Sequence, residues 1–172
     1  MRKVFLLAGI VLASISISFA QATTPKWEIF GGYSYLRSNP KNAPSGDSNG
    51  WNASANWNLF KHIGIKADID GHYCCGGEKE HNFLFGPQLT MRFKKSNIFF
   101  HLLGGVSHGS AQHFSDNVAA WAAGGGWDYA LSSDSRWAVR VAQVDYLMTH
   151  YADQPQHNFR YSGGVVFRFG KR

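Results

Sequence analysis

The chain has almost no cysteine. There are 2 in 172 residues, adjacent at Cys74 and Cys75. That excludes a disulfide-stapled scaffold and the usual zinc finger. It also has no long apolar run beyond its N-terminus, nothing near the ~20 residues of a spanning helix. A polytopic helical membrane protein is excluded. Basic residues are scattered rather than clustered, which gives nucleic-acid binding no support. Aromatics, by contrast, are plentiful: 6 Trp, 7 Tyr and 13 Phe, 15% of the chain. Disordered chains are poor in aromatics. The length suits one domain.

The first residues read as a processing segment. Arg2 and Lys3 precede an uncharged, mostly apolar stretch from Val4 to Phe19. Ser18-Phe19-Ala20 ends it with small residues flanking a cut after Ala20, and Ala20-Gln21-Ala22 offers a second cut. This is the pattern of a secretory signal peptide. The expected division is residues 1–20 as signal peptide and 21–172 as one domain. Without Arg2 and Lys3 the count is 15 basic against 11 acidic residues, a net charge of +4.

From Trp27 onward the chain alternates with period two. Trp51, Ala53, Ala55, Trp57 and Leu59 interleave with Asn52, Ser54, Asn56 and Asn58. Ile63, Ile65, Ala67, Ile69 and Tyr73 interleave with Gly64, Lys66, Asp68, Asp70 and His72. This is a strand signal. Similar runs cover 27–36, 83–93, 98–108, 118–131 and 158–169. In 136–149 the parity flips near Ala142, which a β-bulge would repair. Eight strands are predicted.

Alternation does not say which face meets water. A soluble sandwich buries the apolar face; a membrane barrel turns it to lipid. Three features favour the barrel. The predicted connections 37–49, 74–81, 109–117 and 150–157 are longer than 60–62, 94–97 and 132–135, as in outer-membrane barrels. Aromatics gather near strand ends: Trp27, Phe93, Phe100, Tyr129, Trp137 and Phe169 at one rim, and Tyr35, Trp51, Tyr73, Phe83, Trp121 and Phe159 toward the other. Such girdles mark membrane interfaces. Finally, the polar face mixes small residues with opposite charges. Glu28, Lys66, Asp68, Asp70, Arg92, Asp128, Arg140, Asp145, Arg160 and Arg168 would point inward and pair. The expected fold is all-β, an eight-stranded antiparallel up-and-down transmembrane β-barrel. Eight strands give a lumen that side chains fill.

Particular stretches carry a resemblance. Phe30-Gly31-Gly32-Tyr33-Ser34-Tyr35, Phe85-Gly86-Pro87, Gly124-Gly125-Gly126-Trp127-Asp128-Tyr129, Val144-Asp145-Tyr146 and Val165-Val166-Phe167-Arg168-Phe169-Gly170 resemble small outer-membrane barrels of the OmpA-like and opacity-protein type. The resemblance covers roughly residues 26–170. It implies an outer-membrane location in a Gram-negative-type bacterium and contact with outer-membrane lipid. It also implies recognition of the last strand by the barrel-assembly machinery. Phe167 and Phe169 match that signal, although Gly170-Lys171-Arg172 follow where relatives usually end on Phe. Larger relatives carry a peptidoglycan-binding domain after the barrel, and no such tether is expected here.

Few residues suggest chemistry. His72, Cys74, Cys75 and His81 flank one predicted loop and form a candidate soft ligand set for a transition metal or haem. The competing reading is polar loop residues with incidental thiols. A bond between the adjacent cysteines would be strained, since their Cα atoms sit ~3.8 Å apart. His108 and Ser110 share a strand face, compatible with a base beside a nucleophile. Their spacing is similar to the His-x-Ser of outer-membrane lipid A deacylases. In that family an acid on the adjoining strand orients the His. Here Asp116 is expected in a loop. Asp68 and Asp70, beside Lys66, are expected to neutralise Arg92, Arg140 or Arg160 rather than act as an acid pair. Gly124-Gly125-Gly126 lacks the following helix of a phosphate loop and is expected to mark a tightly curved strand. No cofactor is implied. The expected function is structural, envelope-integrity or surface-interaction, without catalysis. The alternatives are a narrow channel for small solutes or ions, and a lipid A deacylase-like hydrolase.

Overall fold

The computed structural model describes residues 24–39, 45–74, 77–111, 114–132, 136–151 and 154–171. Its elements are β1 (Pro25–Ser38), β2 (Gly46–Asn58), β3 (Ile63–Tyr73), β4 (Lys79–Arg92), β5 (Ser96–Ala111), β6 (Phe114–Ala130), β7 (Trp137–Tyr151) and β8 (Gln154–Lys171). Each strand pairs antiparallel with the next, and β8 returns to β1 to close the barrel. The fold is an eight-stranded antiparallel up-and-down transmembrane β-barrel.

Period two decides which side chains go where. On β2, Asn52 and Asn58 are buried, at 1% and 0% exposed, while Trp51 and Trp57 are 39% and 41% exposed. The polar parity points into the lumen and the apolar parity points out. Tyr33, Phe83, Phe85, Leu102 and Trp121 are each more than half exposed. Water would make so large a contiguous apolar belt a liability, and lipid removes the cost. At the end where β1 begins and β8 finishes, Trp27 stacks on Trp57 and Trp137 packs on Phe167, with ring centroids 5.8 and 4.7 Å apart.

The parity flip in β7 is a bulge. Trp127 pairs with Ala142, but the next residue, Asp128, pairs with Arg140. Val141 is the extra residue, and Val141 and Ala142 both face outward. Arg140 and Gln143 therefore both reach the lumen from either side of it.

The structure corrects the loop boundaries. Strands run far into the segments expected as external loops. β5 and β6 leave only 112–113 between them, and β7 and β8 only 152–153. The connections 59–62, 93–95 and 131–136 are longer than either. Connection length therefore does not separate the two ends. The excess lies in strand length: β5, β6 and β8 have 16, 17 and 18 residues, beyond the ~9–11 that cross a membrane. Polar hairpin ends such as 107–110 and 115–118 carry weak apolar alternation, so their pairing is invisible to periodicity. Asp116 lies on β6, opposite Gly109, and not in a loop.

Candidate functional site: the lumen charge network

Arg160, on β8, is the centre of the lumen. Its side chain has no exposure and faces three carboxylates. Its Nη1 donates to Asp68 Oδ1 at 2.8 Å and to Asp70 Oδ2. Its Nε and Nη2 both donate to Asp145 Oδ2, at 2.9 and 2.6 Å. Lys66 adds a second cation, 3.0 Å from Asp68 Oδ2. Thus Arg160, of the three arginines considered, neutralises Asp68 and Asp70. A buried charge is tolerated only when paired and hydrogen-bonded, and this cluster meets that condition. The glycines of β6 leave it room. A Cβ on Gly124 would collide with the Asp145 carboxylate, and one on Gly126 would come within 2.7 Å of Phe99 Cζ.

A second cluster sits toward the turns. Glu28 lies 3.5 Å from both Arg92 Nη2 and Arg168 Nε. Arg140 Nε donates to Asp128 Oδ1 at 2.8 Å, and Arg168 Nη2 is 3.7 Å from Asp128 Oδ2. Arg92 also donates to Asn58 Oδ1 at 2.9 Å and to the Lys61 carbonyl. Nine of the ten singled-out charges are buried, and the Arg168 side chain is 12% exposed.

Sequence reasoning missed the residues that join the clusters. Gln143 accepts from Arg140 Nη1 at 2.7 Å and donates to Asp145 Oδ2 at 2.7 Å. Arg140 lies between two aromatic faces, 4.2 Å from the Phe30 centroid and 4.3 Å from that of Phe99. Cation–π contact of this kind is favourable where water is excluded. Both rings share parity with a polar lumen residue, Phe30 with Glu28 and Phe99 with His101. That parity was the available signal.

The histidines separate by face. His101 lies in the lumen with Nε2 2.9 Å from Asp145 Oδ1. His72 also faces inward, with Nε2 2.9 Å from Ser34 Oγ and Nδ1 3.2 Å from Asp70. His81 is on the outer face, its ring edge-on to Tyr73 at 5.8 Å. The candidate ligands His72 and His81 therefore project to opposite sides of the wall. Cys74 is half-buried, with Sγ 3.4 Å from the Asp47 carbonyl. Cys75 and His113 lie outside the described residues. Among the described residues no group of three His, Cys, Asp or Glu side chains is placed to share a metal ion. His62 is in a turn with Nδ1 3.0 Å from the Thr90 carbonyl, His150 is exposed, and His157 meets the Tyr146 hydroxyl.

His108 and Ser110 are half-buried on β5 and share its outer face. His108 Nδ1 pairs with Asn117 Oδ1 at 2.8 Å. Asp116 instead accepts from the Asn117 backbone N–H at 2.8 Å. The residue that orients His108 is thus an amide, not an acid.

A closed eight-stranded barrel with a paired polar lumen and an apolar outer wall defines the class of small outer-membrane β-barrel proteins. Known structures share the fold. Neisserial surface protein A superposes with a TM-score of 0.70 at 9% identity, covering 84% of this chain and 97% of that one. Ail, the attachment invasion locus protein of Yersinia pestis, gives 0.59 at 15% identity, covering 84% and 99%. No known family matches the sequence, and no curated protein does. At these identities the likeness is one of fold.

Proposed function

We propose that this chain is an integral outer-membrane barrel with a structural or surface-interaction role and no catalysis. The observation that carries this reading is the pairing of Arg160 with Asp68, Asp70 and Asp145 at zero side-chain exposure. A lumen closed by such a group favours a rigid support over a diffusion path. Two apolar clusters add to the filling: Leu36, Leu84, Leu103 and Leu147 with Ala120 and Ala122, and Phe30, Ala130, Ala138 and Val166. In this reading the belt holds the barrel in lipid, the lumen stiffens it, and the projecting hairpins present a surface. Ail carries attachment and invasion in its name, and a surface role for this chain is proposed by that analogy. Export by a signal peptide cut after Ala20, and insertion by the assembly machinery through Phe167 and Phe169, complete the proposal.

The test has two stages. A carbonate-washed outer-membrane fraction should retain the protein, and it should migrate differently unboiled and boiled. In planar bilayers the refolded barrel should then give no stable conductance steps. Loss from the membrane on washing would overturn the location, and reproducible steps would favour the narrow channel. The hydrolase reading predicts a lipid A mass change that disappears in Ser110→Ala. The expected result is no change with either protein.

A further inference from the structure

The outer wall is not uniformly convex. A cavity of about 730 Å³ opens on it across β3 to β6, lined by Ile63, Pro87, Leu89, Phe100, Leu102 and Ala123. Two outward-facing rows build it. Ile63, Leu89, Phe100 and Gly125 are successive cross-strand partners, as are Ile65 with Pro87 and Leu102 with Ala123. On β6 the outward residues between Trp121 and Trp127 are only Ala123 and Gly125; the Phe100 ring lies over Gly125, where an added Cβ would meet its Cδ1 at 2.9 Å, so the open floor is at Ala123. Phe100 and Leu102, 52% and 65% exposed, stand as walls.

Pro87 marks the same place independently. The β4–β5 ladder runs to Phe85↔Gly104 and resumes at Gln88↔His101, leaving Gly86 and Pro87 without a ladder partner on the β5 side, while on the β3 side they stay opposite Lys66 and Ile65. Proline has no N–H to donate, and a closed barrel has no free edge on which to hide it. A residue that breaks a local rule in the wall of a lipid-facing cavity is a functional signal.

We infer that this groove holds the acyl chain of one phospholipid of the periplasmic leaflet. Its volume lies within the roughly 300–1,000 Å³ of ligand sites. Its lining side chains on the outer face are apolar, and it is continuous with the lipid-facing belt. Ile63 opens β3 directly after 59–62, so the groove starts at the end opposite the projecting hairpins of β5 to β8, and in barrels of this fold the long extensions are extracellular and the other end is periplasmic. A bound chain would lie between the Phe100 row and the Leu102 row, over Pro87 and Ala123, where an annular lipid elsewhere meets a convex wall.

This inference rests on the proposed membrane location, and the experiment separates the two. The full chain is reconstituted in phosphatidylethanolamine vesicles that include a diazirine-tagged acyl chain, irradiated and mapped. Labelling should concentrate on 100–102 and 123–125. Native mass spectrometry after stepwise delipidation should show one retained phospholipid. Ala123→Phe, which fills the groove, should lower that retention at least ten-fold. Ala119→Phe, the same change on the same outer face beyond the groove, should leave it. Labels spread evenly around the barrel, equal retention in all three proteins, or a retained second copy of this chain in place of lipid would overturn the inference. Failure to integrate into the vesicles would instead overturn the membrane reading. Should Ala123→Phe not fold, the label map on the unaltered protein decides alone.

Discussion

The lumen holds two charge clusters built from the same residue types, and they differ in tightness. Around Arg160 the contacts to Asp68 and Asp145 are 2.6–2.9 Å and the side chains have no exposure. In the second cluster Arg140 still reaches Asp128 at 2.8 Å, but around Glu28 the contacts to Arg92 and Arg168 are both 3.5 Å, and Arg168 is 12% exposed. Position explains the contrast. The Arg160 cluster lies among strands that all continue past it, so nothing but protein can satisfy its charges. The Glu28 cluster lies close to the strand ends, with Arg92 the last residue of β4 and the Arg168 side chain part-exposed. Burial therefore imposes geometry. Where solvent is shut out, every carboxylate must find a donor; near the mouth, looser pairing suffices.

Arg160→Leu is the change that should separate the clusters most. It removes one cation and leaves three buried carboxylates with only Lys66, His72 and His101 as neighbours of opposite or variable charge. Breaking a buried pair from one side costs about 3–5 kcal/mol. The temperature at which the unboiled form converts on a gel should fall well below that of the unaltered barrel, and refolding yield should drop. An unchanged conversion temperature would mean that the cluster is a passenger in a wall held by backbone pairing alone.

Arg140→Lys probes the bridge between them. Lysine keeps the charge but loses the fork that reaches Asp128 and Gln143 and the flat face that lies between Phe30 and Phe99. Arg and Lys are not equivalent at a stacked, bidentate site. A loss of about 1–2 kcal/mol in urea unfolding is expected. A loss as large as that of Arg160→Leu would show that the two clusters act as one unit.

Much of this architecture is legible in the residue pattern. Strict alternation in 51–58 and 63–73 defines the strands and the inward charges, because one face has to be uniform. The flip near Ala142 locates the bulge, because only an inserted residue reconciles Val139 with Val144 on one face. Two kinds of feature escape the pattern. The hairpin ends beyond the belt, such as 107–110 with 115–118, have no apolar face, so nothing in their pattern distinguishes strand from loop. Phe30 and Phe99 escape because each is an apolar residue on the polar parity, beside the outward Ile29 and Phe100, so residue type and parity disagree there. Which of the three candidate arginines meets Asp68 and Asp70 is not readable either: Arg160 is 92 residues from Asp68 in sequence, and barrel closure, not local pattern, brings them together.

Glu28→Gln should have the smallest effect, and its smallness is the sharper test of the comparison. Glu28 makes no short contact: its nearest cations stand 3.5 Å away and its Oε1 accepts no hydrogen bond of good geometry. Both arginines keep other partners. Arg92 retains Asn58 and the Lys61 carbonyl, and Arg168 retains Asp128 at 3.7 Å. The substituted amide still presents an oxygen in the same place, and water at the turn end can solvate the remaining charge. The expected change is under about 1 kcal/mol, the range of a single net hydrogen bond. If urea unfolding instead showed a loss comparable to Arg160→Leu, exposure would not be what divides the clusters. The long distances around Glu28 would then belong to a centre as demanding as the one around Arg160, and the turn end would have to be dry.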